Sequence, residues 1–138
     1  MSSATAHVDG GSRGNPGPAG YGVRITGDDG SIVDLKEAIG IATNNIAEYT
    51  GLLAALRWAV AEGVPSLHVK ADSELMVKQM LGEYRVKNPG LQPLHDEARR
   101  LARRIGQVTF EHVRRHVNPD ADRLANEAMD EAETSSPR

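Results

Sequence analysis

Four acids in this chain, Asp9, Glu48, Asp72 and Asp122, have the type and the placing to do chemistry. Each stands where a strand or helix pattern starts or stops, beside polar or glycine-rich sequence. Carboxylates brought together repel. Two like charges about 4 Å apart cost about 4 kcal/mol at an effective dielectric of about 20. A hard divalent cation reverses that sign, and an all-oxygen ligand set suits Mg2+ or Mn2+ rather than Zn2+. Two such ions roughly 4 Å apart form a clamp for in-line displacement at a phosphodiester, one activating water and the other stabilising the leaving oxygen. Taken singly, each acid also has an ordinary role. An Asp after a strand forms turns or caps helices. Asp122 could simply complement the dipole at its helix start, with Asp120 as the cap. Glu48 alone reads as a helix-surface acid.

The pattern of the chain says which elements hold these acids. Residues 4–8 alternate as a strand, and the stretch 9–17, DGGSRGNPG, then breaks it. Asp9 is therefore expected at a strand tip, where glycines let a ligand approach the main chain closely. Residues 20–26 and 31–41 read as two more strands joined at the turn Asp28-Asp29-Gly30, giving an antiparallel meander. Thr43-Asn44-Asn45 opens a helix that runs to Glu62 and is ended by Gly63 and Pro65. Its apolar stripe is Tyr49, Leu52, Leu53, Leu56, Ala59 and Val60, with Glu48 at the margin. Residues 66–71 form a fourth strand ending at Asp72, and either Asp72 or Ser73 opens a helix over 74–81. Strand, long helix and strand make a crossover, so the fourth strand lies parallel to one of the meander. If that neighbour is the first strand, Asp9 and Asp72 end adjacent strands about 4.8 Å apart.

Residues 83–90 form a loop with Tyr84, Arg85 and Lys87. A helix over 91–105 turns Leu94, Ala98, Leu101 and Ile105 inward. Arg99, Arg100, Arg103 and Arg104 face outward, a solvated face paired partly with Asp96 at i,i+4. A fifth strand over 108–113, a loop over 114–120 and a helix over 121–132 complete the pattern. The fold class is α/β: a five-stranded mixed sheet, three antiparallel strands followed by parallel ones, flanked by helices. One domain covers 1–133, and 134–138 reads as a flexible tail.

At 138 residues, 39% hydrophobic and 25% charged, the chain can bury a proper core as one domain. No apolar run approaches the roughly 18 residues of a membrane span. The first residues lack a basic and then apolar leader, so a cytoplasmic protein is expected. Cysteine is absent, which excludes disulfides and thiolate metal sites. The net charge of −3 argues mildly against gripping nucleic acid by bulk charge, without excluding local basic patches. Nothing in the sequence demands a dimer, and a monomer is expected.

The surroundings of the acids add a resemblance. DGGSRGNPGPAGYG (9–22), ATNNIAEYTGLLAAL (42–56), ADSELMVKQM (71–80) and VRRHVNPDADRLANEAM (113–129) resemble ribonuclease H of type 1, in that family's order and spacing. The resemblance implies the ribonuclease H-like fold. It also implies an endonuclease that hydrolyses the RNA strand of an RNA/DNA hybrid, largely independent of sequence, leaving 3′-hydroxyl and 5′-phosphate ends. Asp9, Glu48, Asp72 and Asp122 match its metal-binding acids, for two Mg2+ ions with Mn2+ as a substitute. Asp9 would bridge both ions, with Asp122 on the nucleophile side and Glu48 and Asp72 on the leaving-group side.

RNA alone offers a 2′-hydroxyl, and Gly10, Gly11 and Ser12 with Glu48 match the positions that read it. Asn15, Thr43, Asn44 and Asn45 match positions that hold the nucleic-acid backbone, and Asn118, of the matched N-x-x-A-D stretch, is expected to bind substrate as well. Three features depart from the family's longer members. His116 matches a loop histidine that assists proton transfer or product release, yet only five residues separate it from Asp122. The basic helix that longer members insert after the Asp72 helix is missing. Tyr84 and Lys87 could be a reduced substitute, with Tyr84 packing on a deoxyribose, or Tyr84 could be ordinary core. No hybrid-binding domain is expected before the motif, and affinity is accordingly expected to be modest and salt-sensitive.

Two other classes compete. A non-catalytic binding module on the same fold is disfavoured because all four acids are present. Another two-metal nuclease of the same broad fold, an exonuclease or an integrase-like DNA-processing enzyme, is the second; an exonuclease would carry Asp-x-Glu on the first strand, where this chain has Gly11.

Overall fold

The structure is a computed structural model that describes residues 1–135. Five strands and four helices are strung as β1 (Ala4–Ser12), β2 (Gly17–Gly27), β3 (Ile32–Ala42), α1 (Asn44–Ala61), β4 (Ser66–Ala71), α2 (Glu74–Met80), α3 (Gln92–Ile105), β5 (Gln107–His112) and α4 (Pro119–Ser135), with a 3-10 turn at Arg115–Val117. The sheet order is β3-β2-β1-β4-β5. β1 is antiparallel to β2 and parallel to β4, β2 is antiparallel to β3, and β4 is parallel to β5. This is the mixed sheet the sequence implied, with β1 at its centre. Among the described residues no helix is long and apolar enough to cross a membrane.

The two faces of the sheet are covered differently. Val8, Tyr21, Val23 and Ile25 pack with Tyr49, Leu52, Leu53 and Leu56 of α1 and with Ala98, Leu101 and Ile105 of α3. On the other face α4 lies almost on the backbone of β2. A Cβ at Gly22 would stand 2.5 Å from the Ala125 nitrogen, and one at Gly20 would stand 2.5 Å from the Ala128 Cβ. Missing side chains on the strand thus set how near α4, and Asp122 with it, comes to the sheet.

Several boundaries differ from the sequence pattern for physical reasons. β1 runs on to Ser12 and β2 begins at Gly17, because the Arg13 nitrogen donates to the Pro18 carbonyl at 2.9 Å and keeps the hairpin zipped through its Gly-Pro stretch. Asp9 is therefore inside a strand, paired with Gly22, rather than at its tip. α4 starts at Pro119, which suits a first helical position because its missing N–H would have no partner there. That places Asp120 inside the first turn rather than at the cap; its carboxylate meets the Arg24 guanidinium at 3.1 Å. α4 also continues through Thr134 and Ser135, which were expected in a flexible tail; the rest of that segment, 136–138, lies outside the described residues.

Candidate active site

The parallel register of β1 and β4 ends at Val8 opposite Ala71, so Asp9 and Asp72 each follow the last paired residue of neighbouring strands. Asp9 is 6% exposed, and the Gly10 nitrogen donates to its Oδ1 at 2.8 Å. Its carboxyl is pushed up to about 8, first by burial, then by the Asp72 charge and by a side-chain hydrogen bond with Asp122. Asp122 is in the first turn of α4, and its nitrogen donates to the Asn118 carbonyl at 3.1 Å.

Glu48 is reached from the other face. α1 is capped by Thr43, whose Oγ1 accepts from the Ile46 nitrogen at 3.2 Å, and Glu48 follows within the first turns. α1 approaches β1 closely because Gly10 has no Cβ; one there would stand 2.5 Å from the Ala47 carbonyl. Burial raises Glu48 to about 7, with a hydrogen bond from Ser73 opposing it and the Asp72 charge adding to it. Ser73 is also the cap of α2, accepting from the Met76 nitrogen at 3.2 Å. Asp72 is thereby released from capping, and its side chain remains only 12% exposed.

The structure therefore brings all four acids to one end of the sheet. Among the described residues no three of His, Asp or Glu yet stand close enough together to hold a metal ion. A cation of the chain's own is present instead. The Arg115 Nε lies 3.4 Å from Asp72 Oδ2 and 3.9 Å from Asp122 Oδ1, on a side chain 76% exposed. Sequence reasoning missed this residue. Its signal was the run Arg114-Arg115-His116 so close before Asp122 that the intervening turn must pass over the acids. His116 is exposed on that same turn.

The expected substrate-binding residues divide into two groups. Ser12, Asn15, Thr43, Asn44 and Asn45 form a patch beside the acids. The Ser12 nitrogen donates to Asn44 Oδ1 at 2.7 Å, and the Asn44 nitrogen donates to Asn15 Oδ1 at 3.1 Å. The N–H groups of Gly10 and Ser12 are thus already committed to Asp9 and Asn44, and the space beside Gly10 belongs to α1 rather than to a ligand. Gly11 is half-buried next to Met129. Asn118 departs further from expectation: at 1% exposure it has no face for a substrate. Its Nδ2 donates to the Val8 carbonyl at 3.2 Å and ties the start of α4 to β1, while its Oδ1 is buried without a protein partner. Tyr84 is 50% exposed, which excludes a core role; the Lys78 ammonium sits 5.0 Å from its ring centre.

Known proteins share this fold. A family model described as reverse transcriptase-like matches residues 7–128. A Mycobacterium tuberculosis protein described as bifunctional is 51% identical over 94% of this chain, which spans 36% of that protein's length. The solved N-terminal RNase H domain of that protein has a TM-score of 0.94 and 47% identity, covering 99% of this chain and 100% of its own. The chain belongs to the ribonuclease H family, type 1. A ribonuclease HI of Halobacterium salinarum is 43% identical over 92% of the chain, which spans 64% of that relative. LC11-RNase H1, solved in complex with an RNA/DNA hybrid, has a TM-score of 0.87 and 40% identity, covering 94% of this chain and 99% of its own. The chain thus spans about a third of the mycobacterial relative and 64% of the halobacterial one, but the full length of the solved domain and nearly all of LC11-RNase H1.

Proposed function

We propose that this chain is an endonuclease that hydrolyses the RNA strand of RNA/DNA hybrids with two divalent cations, acting as a monomer in the cytoplasm. The observation that carries the reading is the convergence of Asp9, Glu48, Asp72 and Asp122 at one end of the sheet, with Asp9 and Glu48 held at about 8 and about 7. Burial and mutual repulsion of this size are disadvantages to the fold alone, and bound cations turn them into affinity. The donor set fits Mg2+, with Mn2+ as a substitute: it is all oxygen, and Arg115 already brings a positive charge against Asp72 and Asp122. When bound, the ions would supply an activated water and stabilise the departing oxygen, giving 5′-phosphate and 3′-hydroxyl ends.

The chain's own residues then do the rest. Asp9, in contact with Asp72 and Asp122, would hold both ions, with Asp122 joining it on the nucleophile side and Glu48 and Asp72 on the leaving-group side. Glu48 and the main chain around Gly11 read the 2′-hydroxyl that only RNA carries. The Asn15–Asn44–Ser12 linkage leaves the side-chain nitrogens of Asn15 and Asn44 for a backbone phosphate, with Thr43 and Asn45 beside them. The exposed His116 is free to carry a proton or help release product, and Tyr84 can pack on a deoxyribose. Contacts of this kind select shape and sugar rather than base, so cleavage is largely independent of sequence.

The test is cleavage of an end-labelled RNA/DNA hybrid in Mg2+, Mn2+ or EDTA, with duplex DNA and duplex RNA alongside. Internal cuts confined to the RNA strand of the hybrid and abolished by EDTA are expected. Binding of the hybrid with no cutting in either metal would overturn the reading and leave a binding module.

A further inference from the structure

The cations of this chain are not distributed as its acids are. α4 carries Asp120, Glu127, Asp130, Glu131 and Glu133, and the sheet answers them: Arg13 bonds Asp130 and Glu133, Arg24 bonds Asp120, and Lys36 bonds Glu127 and Glu131. The opposite happens on α3 and the loop before it. Residues 83–106 hold six basic side chains against three acidic ones, a local +3 in a chain of net −3. Arg100 is paired with Glu97, not with Asp96 as its spacing suggested, and Glu97 also holds Arg57. Arg85, Lys87, Arg99, Arg103 and Arg104 make no ion pair among the described residues, and all five are exposed.

Three of these charges, Arg85, Lys87 and Arg99, border a cleft. An open space of about 770 Å3 lies between the C-terminal end of α2, the following loop and α3, lined among others by Gln79, Arg85, Lys87, His95, Asp96 and Arg99. Gln79 is its fixed wall: its Oε1 accepts from the Tyr49 hydroxyl at 2.6 Å, and the His95 ring meets its carbonyl at 3.2 Å. From Arg99 the unpaired charges continue along the exposed side of α3 to Arg103 and Arg104, about 6 Å per helical step of four residues. Gln79 lies six residues beyond Ser73, so about 9 Å of helix separates this cleft from Asp72 and Ser73.

We propose that the unpaired arginines of α3 and the basic border of this cleft form a second nucleic-acid contact surface, which grips phosphodiester backbone without cutting it. The class of partner rests on the function proposed above. Arginine forks match phosphate oxygens two at a time, whereas a protein partner is anchored by buried apolar and aromatic groups. α3 offers none, and of the large exposed hydrophobics among the described residues the cleft is lined by Leu81 and Tyr84 alone, against the basic Arg85, Lys87 and Arg99. A surface of this kind supplies affinity that a chain of net negative charge otherwise lacks, and it acts only on duplexes long enough to pass beyond the acids.

The experiment compares wild type with the triple variant Arg99→Gln, Arg103→Gln, Arg104→Gln, with Lys36→Gln as a paired-cation control. Binding of a hybrid of about thirty base pairs and of a duplex DNA of the same length, each about three helical turns, is measured in EDTA between about 50 and 200 mM salt. Each phosphate contact contributes roughly 0.9 to the slope of log affinity against log salt, so the triple variant is expected to lower that slope by about 2 to 3 on both probes. The rate of hybrid cleavage at saturating hybrid is expected to be unchanged, as is the melting temperature. An unchanged slope on both probes overturns the proposal, and so does a fall in the saturating cleavage rate, which would place the effect on the acids or the fold. If wild type cuts no hybrid, the proposed function falls while the duplex-DNA slope still decides this inference.

Discussion

Two sets of carboxylates in this molecule are driven in opposite directions. Asp9 and Glu48 are raised to about 8 and about 7, in both cases first by burial. Asp34, on the exposed side of β3, is lowered because Arg24, its cross-strand partner, donates to both its oxygens at 2.8 and 2.9 Å. The same functional group stabilises the fold in one place and burdens it in the other. Surface acids meet cations that the register supplies. The acids at the end of β1 and β4 meet one another, with the exposed Arg115 as their protein counter-charge. A fold that keeps such a cluster is spending stability where an external cation is meant to bind.

The comparison is broken most severely by Asp9→Asn. Hybrid cleavage is expected to fall by at least about 10^3-fold, since on the proposed function the change removes a central metal ligand worth several kcal/mol at about 1.4 kcal/mol per decade. Stability should move the other way. A carboxyl raised in the folded state holds its proton where the unfolded chain has lost it. The metal-free protein therefore loses stability as pH rises from about 4 to about 8, by up to about 1.4 kcal/mol per pH unit. Thermal melts in EDTA across that window should show the wild type declining and the Asn variant declining less. Parallel curves would mean that Asp9 carries no such burden.

Gly22→Ala tests the geometric origin of the raised group without touching an acid. The new Cβ would meet the Ala125 nitrogen and Leu124 Cβ at 2.5 Å, so α4 must move off β2, at a cost of about 1–3 kcal/mol in melting experiments. Because Asp122 rides on α4, activity should fall with stability. Full activity in a destabilised variant would show that the Asp9–Asp122 approach does not matter. Arg115→Gln is gentler. It should lower the metal-free melting temperature by about 0.2–1 kcal/mol equivalent, since the side chain is mostly exposed, and the gap should close in saturating Mg2+. A gap of equal size with and without Mg2+ would separate Arg115 from the metal-binding acids.

Much of this was legible in the sequence, and the limits have local causes. Alternation in 66–71 and the cap at Thr43 imply strand, helix and crossover, and so a parallel partner for the fourth strand; that this partner is β1, which sets Asp9 beside Asp72, is decided by the register. What stayed hidden depended on partners distant in sequence. Arg13 bonding to Pro18 extends two strands through residues whose own propensities oppose it. Arg24 claims Asp120 across nearly a hundred residues, so a residue that looked like a cap is an ion-pair partner. Asn118 belongs to a recognisable motif, yet its burial and its bond to Val8 make it a tether between α4 and β1. Local pattern reports what a residue can do, while the register decides which of its neighbours it meets.

The smallest expected effect is at Asp34, and its sign matters more than its size. Asp34→Asn removes a fork-like pair that is about one-third exposed, so the loss should be only about 0.2–1 kcal/mol at neutral pH. Here the folded-state value is lowered, so the contribution is present above the usual carboxylate value of 3.8 and is lost as pH falls through the folded value. The difference between wild type and Asp34→Asn should therefore vanish in acid, whereas that between wild type and Asp9→Asn should grow as pH rises from about 4 to about 8. Two conservative Asp→Asn changes in one sheet would then give opposite pH dependences of stability. If both differences ran the same way, the pH response would reflect net charge rather than the separate surroundings of the two acids.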